Sequence, residues 1–136
     1  MFGKSRVTLA VLLFLTPLLT GSGLQSVAAR PDVAVIYVGA SDCPPCRLWS
    51  RNYMPRFAAS EEFSRLTYRE VLAPKLFMVM DDAYWPQDLR RYRDRLDGRS
   101  AVPLWFVVVE DRVALVGVGL SQWEDQVVPK VNSLLR

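Results

Sequence analysis

Residues 33–49 read VAVIYVGASDCPPCRLW, and this stretch decides the fold. Val33 to Val38 is a run of β-branched and aromatic residues ended by Gly39, the pattern of a buried central strand. The period then changes, because Cys46, Trp49, Ser50 and Tyr53 fall at three- and four-residue steps. A helix is therefore expected from Cys43 to about Met54, with Pro55 as a kink or stop. The chemistry lies where strand hands over to helix. Two thiols at CxxC spacing close a small ring, and the first lies at the positive end of the helix, where thiolate is favoured. CxxC beside a βαβ pattern is a redox signature. Cys43 is expected to be the attacking sulfur, and Cys46, one turn inside, to resolve the mixed disulfide.

Outward from this stretch, Ser60 to Phe63 reads as a short capped turn and Thr67 to Leu72 as a second strand. Ala73 to Trp85 is irregular, and its apolar run Leu76 to Met80 suits strand or loop. Pro86 is placed to open a helix to Leu96 and Gly98 to close it. Leu104 to Val109, Glu110-Asp111 and Arg112 to Val118 form a β-hairpin. Ser121 with Glu124 makes a capping box for a last helix to Leu135, which Pro129 must bend or interrupt. The order β-α-β-α-β-β-α is an α/β sandwich. Its first two strands are parallel, the hairpin adds antiparallel strands beside the first, and helices cover both faces.

The N-terminal part has a different character. Lys4 and Arg6 precede an uncharged, mostly apolar run from Val7 to Leu19, and Thr20 to Ala29 is small and polar. That is the pattern of a secretory signal over residues 1–29, cleaved after Ala28 or Ala29, ahead of a single domain over 30–136. An anchor formed by residues 7–19 is the alternative, but 13 residues fall short of the roughly 20 needed to span a bilayer. The chain has 17 basic and 14 acidic residues, and removing residues 1–29 leaves 15 against 14. So even a balance does not mark a nucleic-acid binder. Export would place the two cysteines in an oxidising compartment.

The 136 residues contain no histidine, which excludes Ser-His and Cys-His catalytic pairs and imidazole metal sites. Haem attachment through CxxCH fails because Arg47 follows Cys46. Zinc lacks four ligands, so no metal or cofactor is expected. A Cu(I) carrier using both thiolates with Met54, Met78 or Met80 is one alternative reading. A plain structural disulfide is another, although so short a loop constrains the unfolded chain little. A third is a binding or chaperone module whose cysteines never turn over.

The strand VAVIYV, CPPC at a helix start, Ala101-Val102-Pro103 before a hairpin and a terminal helix together resemble the thioredoxin superfamily across the mature chain. The resemblance implies that Pro103 is cis and packs against the CxxC, and that the Val102 backbone pairs with an extended substrate. It implies an exported, periplasmic thiol–disulfide oxidoreductase, working as a monomer on disulfide-containing exported proteins and fed by a membrane electron donor. Three positions depart from the thioredoxin pattern. Asp42 stands where Trp precedes the first cysteine, Tyr37 stands at the place of a buried Asp, and both central positions, Pro44 and Pro45, are proline. Neither proline can donate an N–H to the Cys43 sulfur, which leaves the Cys46 amide. Asp42 opposes the thiolate, whereas Arg47 and the helix end favour it. The sum is a moderate thiolate and a pair nearer the reducing end of the family.

Other conspicuous residues read as structural. Arg90, Arg91, Arg93, Arg95 and Arg99 interleave with Asp88, Asp94 and Asp97 as a solvated ion-pair face. Trp49, Trp105 and Trp123 read as core. Tyr84 and Trp85, in the irregular stretch, read as an aromatic pair able to grip a partner.

Overall fold

The computed structural model describes residues 29–97 and 101–136. The expected export segment, apart from Ala29, lies outside the described residues, as do Gly98 and Arg99. Strand β1 (Val33–Ala40) is buried along nearly its whole length. It pairs in parallel with β2 (Thr67–Ala73) and antiparallel with β3 (Leu104–Val109). β3 in turn pairs with β4 (Arg112–Val118), giving the order β2-β1-β3-β4. A strand flanked on both edges and covered on both faces must be apolar throughout, which is why VAVIYV does not alternate. The β3–β4 turn places Glu110 and Asp111 both at positive φ, 46° and 66°. Two such residues give the backbone twist that joins neighbouring antiparallel strands tightly.

Alternation along the strands sends side chains to two separate cores. Tyr37, Trp105 and Val107 join Trp49, Phe57, Trp123, Val127 and Val131 on one face. Ile36, Val38, Leu104 and Phe106 join Cys43, Cys46, Trp85, Leu89 and Tyr92 on the other. Helices α2 (Met54–Ala58) and α5 (Val128–Leu135) serve the first face, while α1 (Pro44–Leu48) contributes its buried Cys46 to the second. Helix α3 (Arg90–Arg93) covers the second.

Both prolines expected to break helices are passed through. Between α1 and α2 the chain makes a wide π turn, Trp49–Tyr53, in which the Met54 N–H donates to the Trp49 carbonyl. The same device, Trp123–Val127, joins α4 (Gly119–Gln122) to α5, with the Val128 N–H donating to the Trp123 carbonyl. Each π turn lies just before a proline, Pro55 or Pro129. An expanded turn separates the proline ring from the carbonyl it would otherwise strike, and the helix continues. The first helical run therefore extends to Ala58 and not to Met54.

Three further expectations are corrected. The last helix starts at Gly119, at φ 81°, and Ser121 lies inside it. The Ser121–Glu124 box is thus replaced by Gln122, whose Oε1 accepts from the Val118 N–H at 2.8 Å. The segment after Pro86 is mostly 3₁₀, Gln87–Leu89 and Asp94–Leu96 around α3, and Asp97 takes the left-handed conformation at its end. Its arginines pair across elements more than along the helix. Arg69 of β2 holds Asp88, Arg91 holds Asp111 of the hairpin turn, and Arg90 and Arg93 both hold Asp82. Hydrogen bonding by Arg93, aided by the charge of Arg90, keeps the Asp82 carboxyl below its ordinary range.

Candidate active site

The site forms at the carboxyl end of β1. Ser41 N–H donates to the Ala73 carbonyl at 2.9 Å, so the β1–β2 ladder runs one bond beyond the strand. Cys43 N–H then folds back to the Ala40 carbonyl at 3.2 Å. This turn sets Cys43 as the residue capping α1, in extended conformation, with Pro44 and Pro45 in the first helical turn. Cys43 and Cys46 form a disulfide, their Cα atoms 5.2 Å apart. The Cys46 N–H donates to Cys43 Sγ at 3.2 Å. With both prolines lacking an N–H, that amide is the backbone donor the first turn can offer the sulfur.

Ala101-Val102-Pro103 approaches from the other side. The Val102–Pro103 peptide bond is cis, Pro103 is buried, and its carbonyl accepts from the Gly119 N–H at 2.8 Å. The Val102 carbonyl oxygen lies 3.8 Å from Cys43 Sγ. Cys43, Cys46, Val102 and Pro103 thus converge. Both cysteines are buried in the disulfide form, Cys43 at 4% exposure and Cys46 at 2%. The two flanking charges face elsewhere. Arg47 donates to the Ser41 carbonyl at 3.2 Å, and Asp42 Oδ1 accepts from the Leu76 N–H at 2.8 Å.

That Asp42 bond ties the irregular segment to the site and reveals residues the sequence reading passed over. Leu76–Met78 is a 3₁₀ turn, and it leaves Phe77 82% exposed beside the half-exposed Leu76. Leu72 on the β2 edge and Leu48 on α1 are exposed as well. The signal was the apolar run Leu76 to Met80, which suited strand or loop by its pattern and contains a 3₁₀ turn in the structure. Trp85, by contrast, is not available to a partner. It is buried, and its Nε1 donates to the Val79 carbonyl at 2.7 Å, pegging this segment to the core. Tyr84 is partly buried, its hydroxyl 3.9 Å from Met78 Sδ. Of the methionines considered for Cu(I), Met78 packs with the core that holds the cysteines and Met54 with the opposite one.

Tyr37 lies behind the disulfide. Its ring stacks on Trp49 with centroids 4.2 Å apart, and burial pushes its hydroxyl up to about 12.

No protein-family model and no curated protein matches the sequence. Among solved structures, the chain is similar to the reduced form of the periplasmic thioredoxin SoxS from Paracoccus pantotrophus. The TM-score is 0.51 at 16% identity, covering 76% of this chain and 96% of that one. At this identity the likeness is one of fold. A four-stranded mixed sheet between helical layers, with a CxxC disulfide at the end of its first strand, gives this chain a thioredoxin-like fold.

Proposed function

We propose that the chain is an exported thiol–disulfide oxidoreductase that reduces disulfides of periplasmic proteins through Cys43 and Cys46. The observation that carries this reading is the Cys43–Cys46 disulfide itself, closed at the start of a helical run and set against Val102 and Pro103. In the reduced protein the Cys43 thiolate attacks one sulfur of the partner's disulfide. That bond breaks, and the departing sulfur leaves as a thiolate that takes a proton from water. Cys46, having lost its proton, then attacks Cys43 Sγ and releases the second partner sulfur. Two electrons pass to the partner, and the pair ends as the disulfide.

The direction follows from what surrounds Cys43. Pro44 and Pro45 give its sulfur no hydrogen bond, the Val102 carbonyl oxygen faces it, and one amide supports it. A thiolate so little stabilised leaves the dithiol a good electron donor. Export is supported by the charged and apolar pattern of residues 1–29 and by the periplasmic setting of the structural neighbour. A reductant in that compartment is oxidised at every turnover, so its second partner is a membrane electron donor. The chain works as a monomer.

Equilibration of the domain with thiol redox buffers tests this reading. The expected reduction potential lies toward roughly −270 mV, whereas a value toward roughly −120 mV reverses the direction. A pair that never equilibrates ends the reading altogether.

Protein partners are supported by the apolar surface around Phe77, held in place by Asp42 and Trp85. Rigid, exposed aromatic side chains are typical anchors at interfaces. Phe77→Ser is expected to slow reduction of a protein disulfide about tenfold, the equivalent of roughly 1.4 kcal/mol, and to leave reduction of a small soluble disulfide within about twofold. Equal slowing of both, measured side by side, would deny the surface a role in docking.

A further inference from the structure

Beside the disulfide the surface carries two cations that the fold leaves unpaired. Arg47 lies in the last turn of α1, and Arg51 in the π turn that follows. Both are exposed, and among the described residues neither forms an ion pair. Arg65, Arg69, Arg90, Arg91 and Arg93, by contrast, each meet a carboxylate. Of the acids on neighbouring elements, Asp42 accepts from the Leu76 N–H and Glu70 from the Tyr68 hydroxyl. Like charges four residues apart on a helical run repel, so the two arginines are a cost to the free protein.

Both arginines border an open cleft of about 230 Å³ whose walls also include Ser41, Cys46, Ser50 and Leu72. Among the described residues, no acidic side chain lines it. Arg47 donates to the Ser41 carbonyl at 3.2 Å, a bond that orients the guanidinium and leaves its other N–H groups to an incoming acceptor. The Ser50 hydroxyl is engaged by the Cys46 carbonyl. Leu72 is 49% exposed and offers an apolar wall to the methylene stem of a charged side chain. At about 30 Å³ for each water in the liquid, the space admits an acidic side chain of a few non-hydrogen atoms. Because Cys46 is part of the wall, an occupant of this cleft lies next to the redox pair.

We propose that this cleft is a specificity subsite, in which Arg47 and Arg51 receive a glutamate or aspartate side chain that the protein partner carries near its disulfide. The assignment rests on the exchange reading given above and adds to it the kind of partner. Charge at such a rim acts on encounter and on choice, drawing in acidic segments and turning away basic ones. The planar fork of arginine suits the task, since it matches a carboxylate with two parallel hydrogen bonds. The surface around Phe77, tied to the site through Asp42, supplies contact area that does not distinguish charge. A partner segment that satisfies both is apolar toward Phe77 and acidic toward the arginines.

The test uses three synthetic peptides, each closed by one disulfide and identical except for Glu, Gln or Lys at the positions flanking the cysteines. Reduction by the wild-type protein is followed as kcat/KM at low ionic strength. The Glu peptide is expected to react about tenfold faster than the Lys peptide, with Gln between them, and about 0.5 M salt should remove most of the gap. In the double variant Arg47→Gln with Arg51→Gln the preference should fall to within about twofold. A change in the reactivity of the cysteines themselves alters all three peptides alike, so the ratio isolates recognition. Arg112→Gln with Lys130→Gln removes the same net charge away from the cleft and should keep the preference. Equal rates for the three peptides with the wild type, or a preference that survives in the double variant, would overturn the proposal and leave the exchange reading standing. An effect of the two arginines confined to dithiodiglycolate, a small dianionic disulfide, would overturn it as well, because the cleft would then serve a small molecule. If no peptide is reduced, the exchange reading falls, and the subsite with it.

Discussion

Cys46→Ala should turn the protein into a trap. Incubated in reduced form with a disulfide-bearing protein, the variant is expected to accumulate close to one equivalent of a covalent adduct through Cys43, and multiple turnover should cease. Attack by Cys43 needs only its own thiolate and access, and both survive the substitution. The mixed disulfide then has no neighbouring thiol to displace the partner, so it persists until an external thiol arrives. Cys46 is buried and contributes its backbone N–H to Cys43 Sγ, and alanine retains that amide. Non-reducing electrophoresis with mass spectrometry of the linked peptides reads the result. Cys43→Ala serves as the control and should form no adduct. An empty result for both variants would favour a module that binds without exchange, and copper bound in stoichiometric amount by the reduced wild type would favour the carrier.

Trp49→Ala is expected to be the most damaging single change to stability. Its ring is fully buried and meets Tyr37 at 4.2 Å, Trp105 and Trp123 at 5.5 Å and Tyr68 at 6.3 Å between centroids. Truncating a buried aromatic residue to alanine costs about 3–5 kcal/mol, a large part of the 5–15 kcal/mol typical of a domain. At about 4–8 °C per kcal/mol for a domain near this size, the melting temperature should fall by on the order of 15 °C or more. The indole N–H has no hydrogen-bond partner among the described residues, so the loss is one of packing, and Trp49→Phe should recover most of it. Thermal unfolding followed by circular dichroism decides the matter. A loss under about 1 kcal/mol would mean that the aromatic cluster does not hold the helical layer to the sheet. The effect should also reach the site, because Trp49 supports the ring of Tyr37 and directly follows α1.

What could be read in the sequence was what short-range pattern controls. VAVIYV announced a central strand because a strand buried on both faces has no polar positions to alternate with. The hairpin was legible because two runs rich in β-branched residues flank the Glu110-Asp111 turn. The cysteine pair stood out by spacing. Contacts between distant elements left no such trace. The arginines of the segment after Pro86 have aspartates at suitable helical distances, yet Arg91 reaches Asp111 and Asp88 is held by Arg69. Hydrogen bonding by Arg69 outweighs the opposing desolvation and keeps the Asp88 carboxyl below the ordinary range. Trp85 looked free because its stretch lacks a period, but its partner is a carbonyl six residues back. The exposed Phe77 was hidden for the complementary reason, since an apolar residue is assumed to be covered unless the fold shows otherwise.

The two π turns have a consequence for how this architecture can diverge. Each holds one residue more than an α-helical turn, and each starts at a tryptophan and ends two residues before a proline, Trp49–Tyr53 ahead of Pro55 and Trp123–Val127 ahead of Pro129. A relative without the proline can drop that residue, close the turn and keep Phe57 or Val131 against the same core wall. A chain that gains the proline needs the extra residue to stay in register. Gaps of a single residue inside helices are therefore survivable steps in the history of such a domain, and the count from Cys46 to Phe57 is free to drift while the cysteines stay where β1 puts them.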